Sequence, residues 1–182
     1  MKILVIDDKK ENIESAKKTL AGHELTFITS HDEAISKMFP KSVTWEKKSL
    51  ENDYDLMIAD LLMPVGKFMQ SEIEHVGEEM PVGFHLILMG SMLNIPKILL
   101  CTDMGHHSHP ASAWLDCIGK IKMKKSTVYF DNNPSFIEID GKKAKHFEKI
   151  LISNSIMKGP VKFKTPEDYI EENVIPDDIY GK

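Results

Sequence analysis

Acidic and hydroxyl side chains follow several short apolar runs in this sequence. Three of these runs end at residues that could act together: Asp7 with Asp8, Asp60, and Thr102. Carboxylates held close together repel one another, and a hard divalent cation such as Mg²⁺ relieves the repulsion by taking oxygen ligands. A carboxylate can also act as a nucleophile toward a phosphoryl donor. If the fold brings them together, these residues would form an acidic, metal-binding pocket.

The runs themselves predict the elements that would position these side chains. Five apolar runs of buried-strand type, at residues 3–6, 25–28, 56–59, 98–101 and 127–131, alternate with stretches of helical periodicity. This alternation predicts an α/β fold with a doubly wound, five-stranded parallel sheet in the order 2-1-3-4-5. Because the carboxyl ends of parallel strands share one edge, where ligands bind, we expect the acids and Thr102 to meet there.

The combination of motifs resembles the receiver domain of two-component response regulators. The matching segments are Asp7-Asp8 after the first strand, Asp60-Leu61-Leu62-Met63-Pro64 after the third, and Thr102 after the fourth. The resemblance is strong over residues 1–64, fair over 81–136 and faint elsewhere. It implies a flavodoxin-like fold and a signalling role in a phosphorelay.

Each matched residue inherits an expected role from this resemblance. Asp60 would accept a phosphoryl group, Thr102 would donate a hydrogen bond to it, and Phe130 would be the switch aromatic. Mg²⁺, or another divalent metal, would be held by three carboxylates and one backbone carbonyl: Asp7, Asp8, Asp60 and Leu62.

One position departs from the receiver pattern. Asn133-Pro134 stands where the family has Lys-Pro, so the resemblance predicts that the pocket lacks the family's lysine and that Asn133 supplies a neutral donor instead. The resemblance also implies a cis peptide bond between Asn133 and Pro134. Without the cation, we expect phosphorylation of Asp60 to be slow or absent.

A second departure is the histidine-rich loop directly after Thr102. Asp103, His106, His107 and His109 would lie beside the acidic pocket, and imidazoles next to carboxylates suit a transition metal or proton transfer. A polar loop with a helix cap explains the same residues. The sequence leaves these three interpretations open.

Two insertions and a tail lengthen the chain beyond one receiver. We predict a receiver-like domain over 1–152 with insertions at about 41–53 and 65–82, and a C-terminal extension at 153–182 that packs on it. Met63-Pro64-Val65-Gly66 recurs at residues 80–83, and Gly83 is expected to open the third helix after the second insertion. Ala144 is placed in the last helix with Phe147, and the lysines of residues 120–125 in a solvated loop.

Composition, charge and hydrophobicity restrict the kinds of partner and the cellular compartment to be expected. The 182 residues carry a net charge of −5, and no stretch is densely basic with interleaved aromatics, which argues against nucleic-acid binding. No apolar run is long enough to cross a bilayer, and the chain enters a strand at once, which predicts no signal peptide. Cys101 and Cys117 lack metal or disulfide-framework spacing. These features fit a cytoplasmic protein.

Three functions fit these observations. The preferred one is a stand-alone receiver-like signalling module, whose partners would be a histidine kinase or phosphotransfer protein and a protein target for output, with a homodimer left open. The second is a metal-dependent, phosphohydrolase-like enzyme that uses the acidic pocket and the histidines. The third is a pseudo-receiver that acts without phosphorylation. Whether the chain is an enzyme is left open.

Overall fold

A computed structural model describes residues 1–38, 53–66, 76–104, 108–115 and 117–157. Its central sheet contains five parallel strands, β1 (Lys2–Ile6), β2 (Glu24–Ile28), β3 (Leu56–Asp60), β6 (Lys97–Cys101) and β8 (Ser126–Asp131), and one antiparallel strand, β7 (Lys120–Met123). The six strands lie in the order β2-β1-β3-β6-β8-β7. The predicted order of the parallel strands is confirmed. The sheet has one strand more than predicted.

Helices cover both faces of this sheet, so the doubly wound α/β prediction is also confirmed. The helices α2 (His31–Met38), α3 (Gly83–Met92) and α4 (Pro110–Leu115) pack into one apolar core, and α1 (Lys10–Thr19) and α5 (Phe147–Ser153) into the other. Within β1, Leu4 and Ile6 belong to the first core and Ile3 and Val5 to the second. Burial on both faces explains why the central strands are continuous apolar runs.

The sixth strand, β7 (Lys120–Met123), corrects the expectation of a loop at residues 120–123, whereas the lysines of residues 120–125 are exposed as expected. It runs antiparallel to β8, with Lys120 opposite Tyr129 and Met123 opposite Ser126. Its sequence alternates lysine with Ile121 and Met123, which is the period of a strand, although Ile121 is itself exposed and only Met123 is partly buried. The exposed lysines also suit a sheet edge, because edge charges discourage pairing with another chain.

A hairpin separate from the main sheet follows β8. It consists of β9 (Phe136–Ile139) and β10 (Lys142–Lys145), joined by Asp140 and Gly141 at φ of 50° and 76°. An Asp-Gly pair with both φ values positive is typical of a tight hairpin turn. Ala144 therefore lies in β10, and the prediction that it belongs to the last helix is wrong, since α5 begins at Phe147.

The chain entering this hairpin also differs from expectation. The peptide bond between Asn133 and Pro134 is trans, so the predicted cis bond is wrong. The chain continues from Pro134 into β9 rather than directly into a helix.

The two Met-Pro-Val-Gly segments pair with each other. Met63 of β4 (Met63–Pro64) lies opposite Met80 of β5 (Glu79–Met80), and Val65 N–H donates to the carbonyl of Glu78 at 2.9 Å. This ribbon closes the base of the predicted insertion at 65–82. Residues 67–75 of that insertion lie outside the described residues, as do 41–52 of the first one and 158–182 of the extension. As predicted, α3 begins at Gly83.

None of the helices in the described ranges combines the length and the apolar composition that crossing a membrane requires.

Replacing Gly83 with Ala should destabilise the fold beside Asp60. A Cβ at Gly83 would collide with the Asp60 carbonyl oxygen and come within 2.7 Å of Leu61 Cα, and both obstacles are backbone. Overpacking of this kind costs about 1–3 kcal/mol of unfolding free energy. Gly119→Ala is the matched control, because a Cβ there meets nothing within 4 Å. Urea unfolding curves that are equal for the two variants would contradict this account.

The contact between buried His31 and partly buried His85 should make stability depend on pH. His31 Nε2 lies 3.1 Å from His85 Nδ1, and burial, then His85, lowers the pKa of His31 below its ordinary value. The stabilising effect is complete above the ordinary histidine pKa of about 6.5 and declines as the pH falls below it, because the unfolded chain takes the proton first. Urea unfolding at about pH 7.5 and about pH 5.5 should show a larger loss for wild type than for His31→Leu. Equal losses would refute the prediction.

Candidate functional site

Three neighbouring strands bring the predicted acids to one edge of the sheet. Asp7 follows β1, Asp60 ends β3 and Thr102 follows β6, and these strands are adjacent in the order β1-β3-β6. All three side chains are buried, and Asp60 is only 1% exposed. Asp8 is partly buried beside them. The parallel topology thus gathers residues that are far apart in the chain.

The acids have the spacing of a metal site. Oxygen atoms of Asp7, Asp8 and Asp60 all lie within 4.8 Å of one another. In the described part of the chain, no hydrogen-bond donor reaches Asp8 Oδ1 or Asp60 Oδ2, although both atoms are buried. Buried acceptors without partners are costly, so oxygens of this kind suit a hard cation. The residues present therefore fit a divalent ion such as Mg²⁺.

A buried lysine from the β9–β10 hairpin occupies the same pocket. Lys145 is 0% exposed, and its Nζ lies 2.8 Å from Asp7 Oδ2 and 2.9 Å from Asp60 Oδ1. Its backbone N–H donates to Asn12 Oδ1 at 3.0 Å, and its carbonyl accepts from the Ser15 hydroxyl. Both partners lie on α1, so the first helix fixes the strand that carries the lysine.

Lys145 overturns the prediction that the pocket contains no lysine. Asn133, at the position where the family's lysine was sought, is exposed, and its backbone N–H donates to Asp131 Oδ1 at 3.0 Å. The Asp140-Gly141 pair between two short runs was the sequence signal for the hairpin. It could not have shown which of the four residues Lys142, Lys143, Ala144 and Lys145 would enter the pocket.

Asp7 is held by several donors at once. Asn12 Nδ2 donates to both of its oxygens at 3.1 and 3.0 Å, and the backbone N–H of Lys9 donates to Oδ1 at 3.0 Å. Charge-assisted hydrogen bonds of this kind fix a carboxylate in one orientation. Asp7 is therefore fixed in one orientation, as a preorganised metal ligand would be, whereas Asp8 and Asp60 keep buried oxygens that accept no hydrogen bond from the described residues.

The charges in the pocket leave a negative excess. Burial raises the pKa of Asp60 to about 7, with Lys145 acting against this rise and Asp7 adding to it. Burial and then Asp7 raise the pKa of Asp8. Burial opposes the charge of Lys145, but Asp60 and Asp7 outweigh it and raise its pKa well above the ordinary value. Because one ammonium faces three carboxylates, a divalent cation would complete the charge balance.

Thr102 directly follows β6, and Phe130 lies one residue before the end of β8. The Thr102 N–H donates to the carbonyl of Asp131 at 3.1 Å, and its hydroxyl oxygen accepts from Met104 N–H at 3.1 Å. Phe130 packs into the core on the α2, α3 and α4 side. Leu62 lies just after Asp60, in a segment pinned by the hydrogen bonds from Leu61 N to Cys101 O and from Gly83 N to Leu61 O.

The loop after Thr102 contributes an ion pair and a cap among its described residues. Both oxygens of Asp103 lie 2.8 Å from Lys9 Nζ. Burial acts against the charge on each residue. Asp103 outweighs burial and raises the pKa of Lys9, whereas Lys145 and then Lys9 outweigh burial and lower the pKa of Asp103. His109 Nδ1 accepts from Ala111 N–H at the start of α4, as a helix cap does. His106 and His107, from the same predicted second site, lie outside the described residues.

Comparisons with known proteins give one structural likeness. No family model matches the chain. No curated protein matches it either. Among solved structures, it is similar to the N-terminal domain of a response regulator/sensory box/GGDEF 3-domain protein from Carboxydothermus hydrogenoformans. The two share 15% identity over 86% of this chain and 91% of that chain, with a TM-score of 0.43.

A likeness at that identity and TM-score decides nothing, so the fold assignment rests on the strand order. The order 2-1-3-4-5 of the parallel strands is that of flavodoxin-like and receiver domains.

Replacing Asp8 with Asn should weaken Mg²⁺ binding by about tenfold or more, because Mg²⁺ takes few protein ligands and a lost carboxylate is not replaced. Asp55→Asn is the matched control, since Asp55 lies at the opposite end of β3 and accepts from Lys2 N–H there. Isothermal titration calorimetry with MgCl₂ gives the two affinities. Equal affinities would mean that Asp8 is not a ligand.

Proposed function

We propose that this chain is a receiver-like signalling module that accepts a phosphoryl group on Asp60. The observation that carries the proposal is the buried Lys145 ammonium, in contact with Asp60 at 2.9 Å and Asp7 at 2.8 Å within a cluster of carboxylates spaced for a metal. Phosphoryl transfer depends mainly on positioning and on positive charge around the phosphoryl oxygens. A nucleophilic carboxylate, a fixed cation and a cation-binding set are the components it requires.

The reaction would use a free oxygen of Asp60. Oδ2 would attack the phosphorus of the donor, the bond between phosphorus and the leaving group would break, and Asp60 would become an acyl phosphate. Lys145 near Oδ1 would steady the carboxylate and offset the charge that develops on the phosphoryl oxygens. Thr102, one strand away, would donate its hydroxyl proton to a phosphoryl oxygen.

Mg²⁺ would be held by the carboxylates of Asp7, Asp8 and Asp60 and the carbonyl of Leu62, and it would supply further positive charge to the phosphoryl oxygens. Asp7 would serve both cations, because its Oδ2 contacts Lys145 and Asn12 orients both of its oxygens. Asn133 has no necessary role in this arrangement. Its assignment as a catalytic donor is retained only as a hypothesis for the experiment below.

The proposed partners follow from this chemistry. A histidine kinase or phosphotransfer protein would supply the phosphoryl group, and a protein target, with a second copy of the chain as one candidate, would read the phosphorylated state. Phe130 would link the pocket to that readout, because it lies one residue before the end of β8 and packs into the core shared with α3 and α4.

The metal-dependent phosphohydrolase is less well supported by the described residues. Of its proposed histidine site, Asp103 is paired with Lys9 and His109 caps α4. The pseudo-receiver remains the outcome to expect if Asp60 takes no phosphoryl group.

Phosphate incorporation from acetyl phosphate, with Mg²⁺ present, should depend on Lys145 and not on Asn133. A hydrogen bond to a charged group is worth about 1.5–3 kcal/mol against about 1 for a neutral one. Because 1.36 kcal/mol is one decade in rate, Lys145→Gln should label about tenfold more slowly than wild type. Asn133→Lys should give no gain, and Asp60→Asn no label.

Lys142→Gln is the matched control, because Lys142 lies on the same strand but is exposed. Its labelling should equal that of wild type, and thermal melts should verify that each variant is folded. If wild type is unlabelled while Asn133→Lys becomes labelled, the pocket lacks an effective cation and the original prediction from Asn133 is correct. If neither is labelled, the protein is a pseudo-receiver.

A further inference from the structure

An ion pair bridges the mouth of the acidic pocket. Lys9 follows Asp8 in the loop after β1, and Asp103 follows Thr102 in the loop after β6. The two residues are 94 positions apart in the sequence, yet both Asp103 oxygens lie 2.8 Å from Lys9 Nζ. Because β3 lies between β1 and β6 in the sheet, the bridge passes over the end of the strand that carries Asp60.

Burial places this bridge between the pocket and solvent. The side chains of Lys9 and Asp103 are 32% and 23% exposed, whereas Asp60 and Thr102 beneath them are almost inaccessible. A phosphoryl donor that approaches Asp60 between these loops must therefore meet the ion pair. The backbone of Lys9 is anchored by its hydrogen bond to Asp7, so its position at the mouth is fixed while its long side chain can swing.

The bridge joins two groups with opposite effects on an incoming anion. The ammonium of Lys9 attracts phosphate oxygens, and the Asp103 carboxylate repels them. The Asp60 carboxylate already attracts Lys9, and a phosphorylated Asp60 would carry more negative charge. Since Lys145 and the metal ligands occupy the floor of the pocket, Lys9 is the cation available at its mouth among the described residues.

We propose that Lys9 is a second phosphoryl-binding cation, and that Asp103 holds it in an ion pair across the mouth of the pocket until a phosphoryl group arrives. On arrival of the phosphoryl group, Lys9 exchanges the Asp103 carboxylate for phosphoryl oxygens, and the bridge across the mouth opens. Asp103 thus sets how readily the pocket accepts and retains an anion. This inference rests on the proposed function, because it concerns the same site.

The exchange predicts opposite effects for the two halves of the bridge. Asp103→Asn frees Lys9 and removes a repelling charge, so binding of an anion at Asp60 should tighten. Lys9→Gln removes the attracting charge and leaves Asp103 unpaired, so binding should weaken. An ion pair that only braced the two loops would give variants that change in the same direction. Lys9→Arg keeps the charge and should bind nearly as wild type does.

The test is calorimetric binding of beryllofluoride, a phosphoryl mimic, to the full chain in the presence of Mg²⁺. We expect the dissociation constant to fall about threefold or more in Asp103→Asn and to rise about threefold or more in Lys9→Gln, because hydrogen bonds to charged groups are worth about 1.5–3 kcal/mol before solvent screening reduces them. Glu14→Gln is the control, since it breaks the solvent-exposed Lys17–Glu14 ion pair of 2.7 Å on α1. It should leave the constant unchanged.

The direction of change in the two variants distinguishes an exchangeable ion pair from a purely structural one. Weakening in both Lys9 and Asp103 variants would make the bridge a structural brace and overturn the proposal, as would no change in either. In either case the proposed phosphorylation of Asp60 would still stand if acetyl phosphate labels the wild-type protein. A wild-type protein that neither binds beryllofluoride nor is labelled would overturn the proposed function and this inference with it.

Discussion

The ion pairs of Lys145 with Asp7 and Asp60 are the interaction on which the rest of the site depends. Buried carboxylates at the ends of adjacent strands repel one another, and a fully buried ammonium is as costly alone as they are. Each is tolerable only beside the other. The contacts of Lys145 with Asn12 and Ser15 extend this constraint to α1, so that the pocket, the first helix and the hairpin form one hydrogen-bonded unit.

This constraint gives the β9–β10 hairpin a function beyond connecting β8 to α5. The hairpin packs along α1 and carries Lys145 to the carboxyl edge of the sheet, where the pocket lies. In the receiver domains that this sequence resembles, the lysine directly follows the fifth parallel strand. Here the cation arrives from a later strand, outside the main sheet. The proposed phosphoryl transfer depends on where the ammonium lies, and not on which strand carries it into the pocket.

Around the pocket, positive charge is arranged at two depths. Lys145 is inaccessible and paired with Asp60, whereas Lys9 is partly exposed and paired with the Asp103 carboxylate. The buried pair is weakly screened by salt and fixes geometry, and the outer pair is more easily exchanged. A rigid buried pair and an exchangeable outer pair are both compatible with the proposed phosphoryl group, which would have to enter the pocket and leave it.

The sequence by itself determined the parallel strand order, the two-faced burial and the meeting of Asp7, Asp60 and Thr102 at one edge. These follow from local hydrophobic periodicity and from the rule that parallel strand ends share an edge. Only the tertiary structure decided that Lys145 enters the pocket and that Lys9 reaches Asp103. The partners in these ion pairs are 138 and 94 residues apart in the sequence. Their contact depends on the path of the whole backbone between them, which no local sequence pattern specifies.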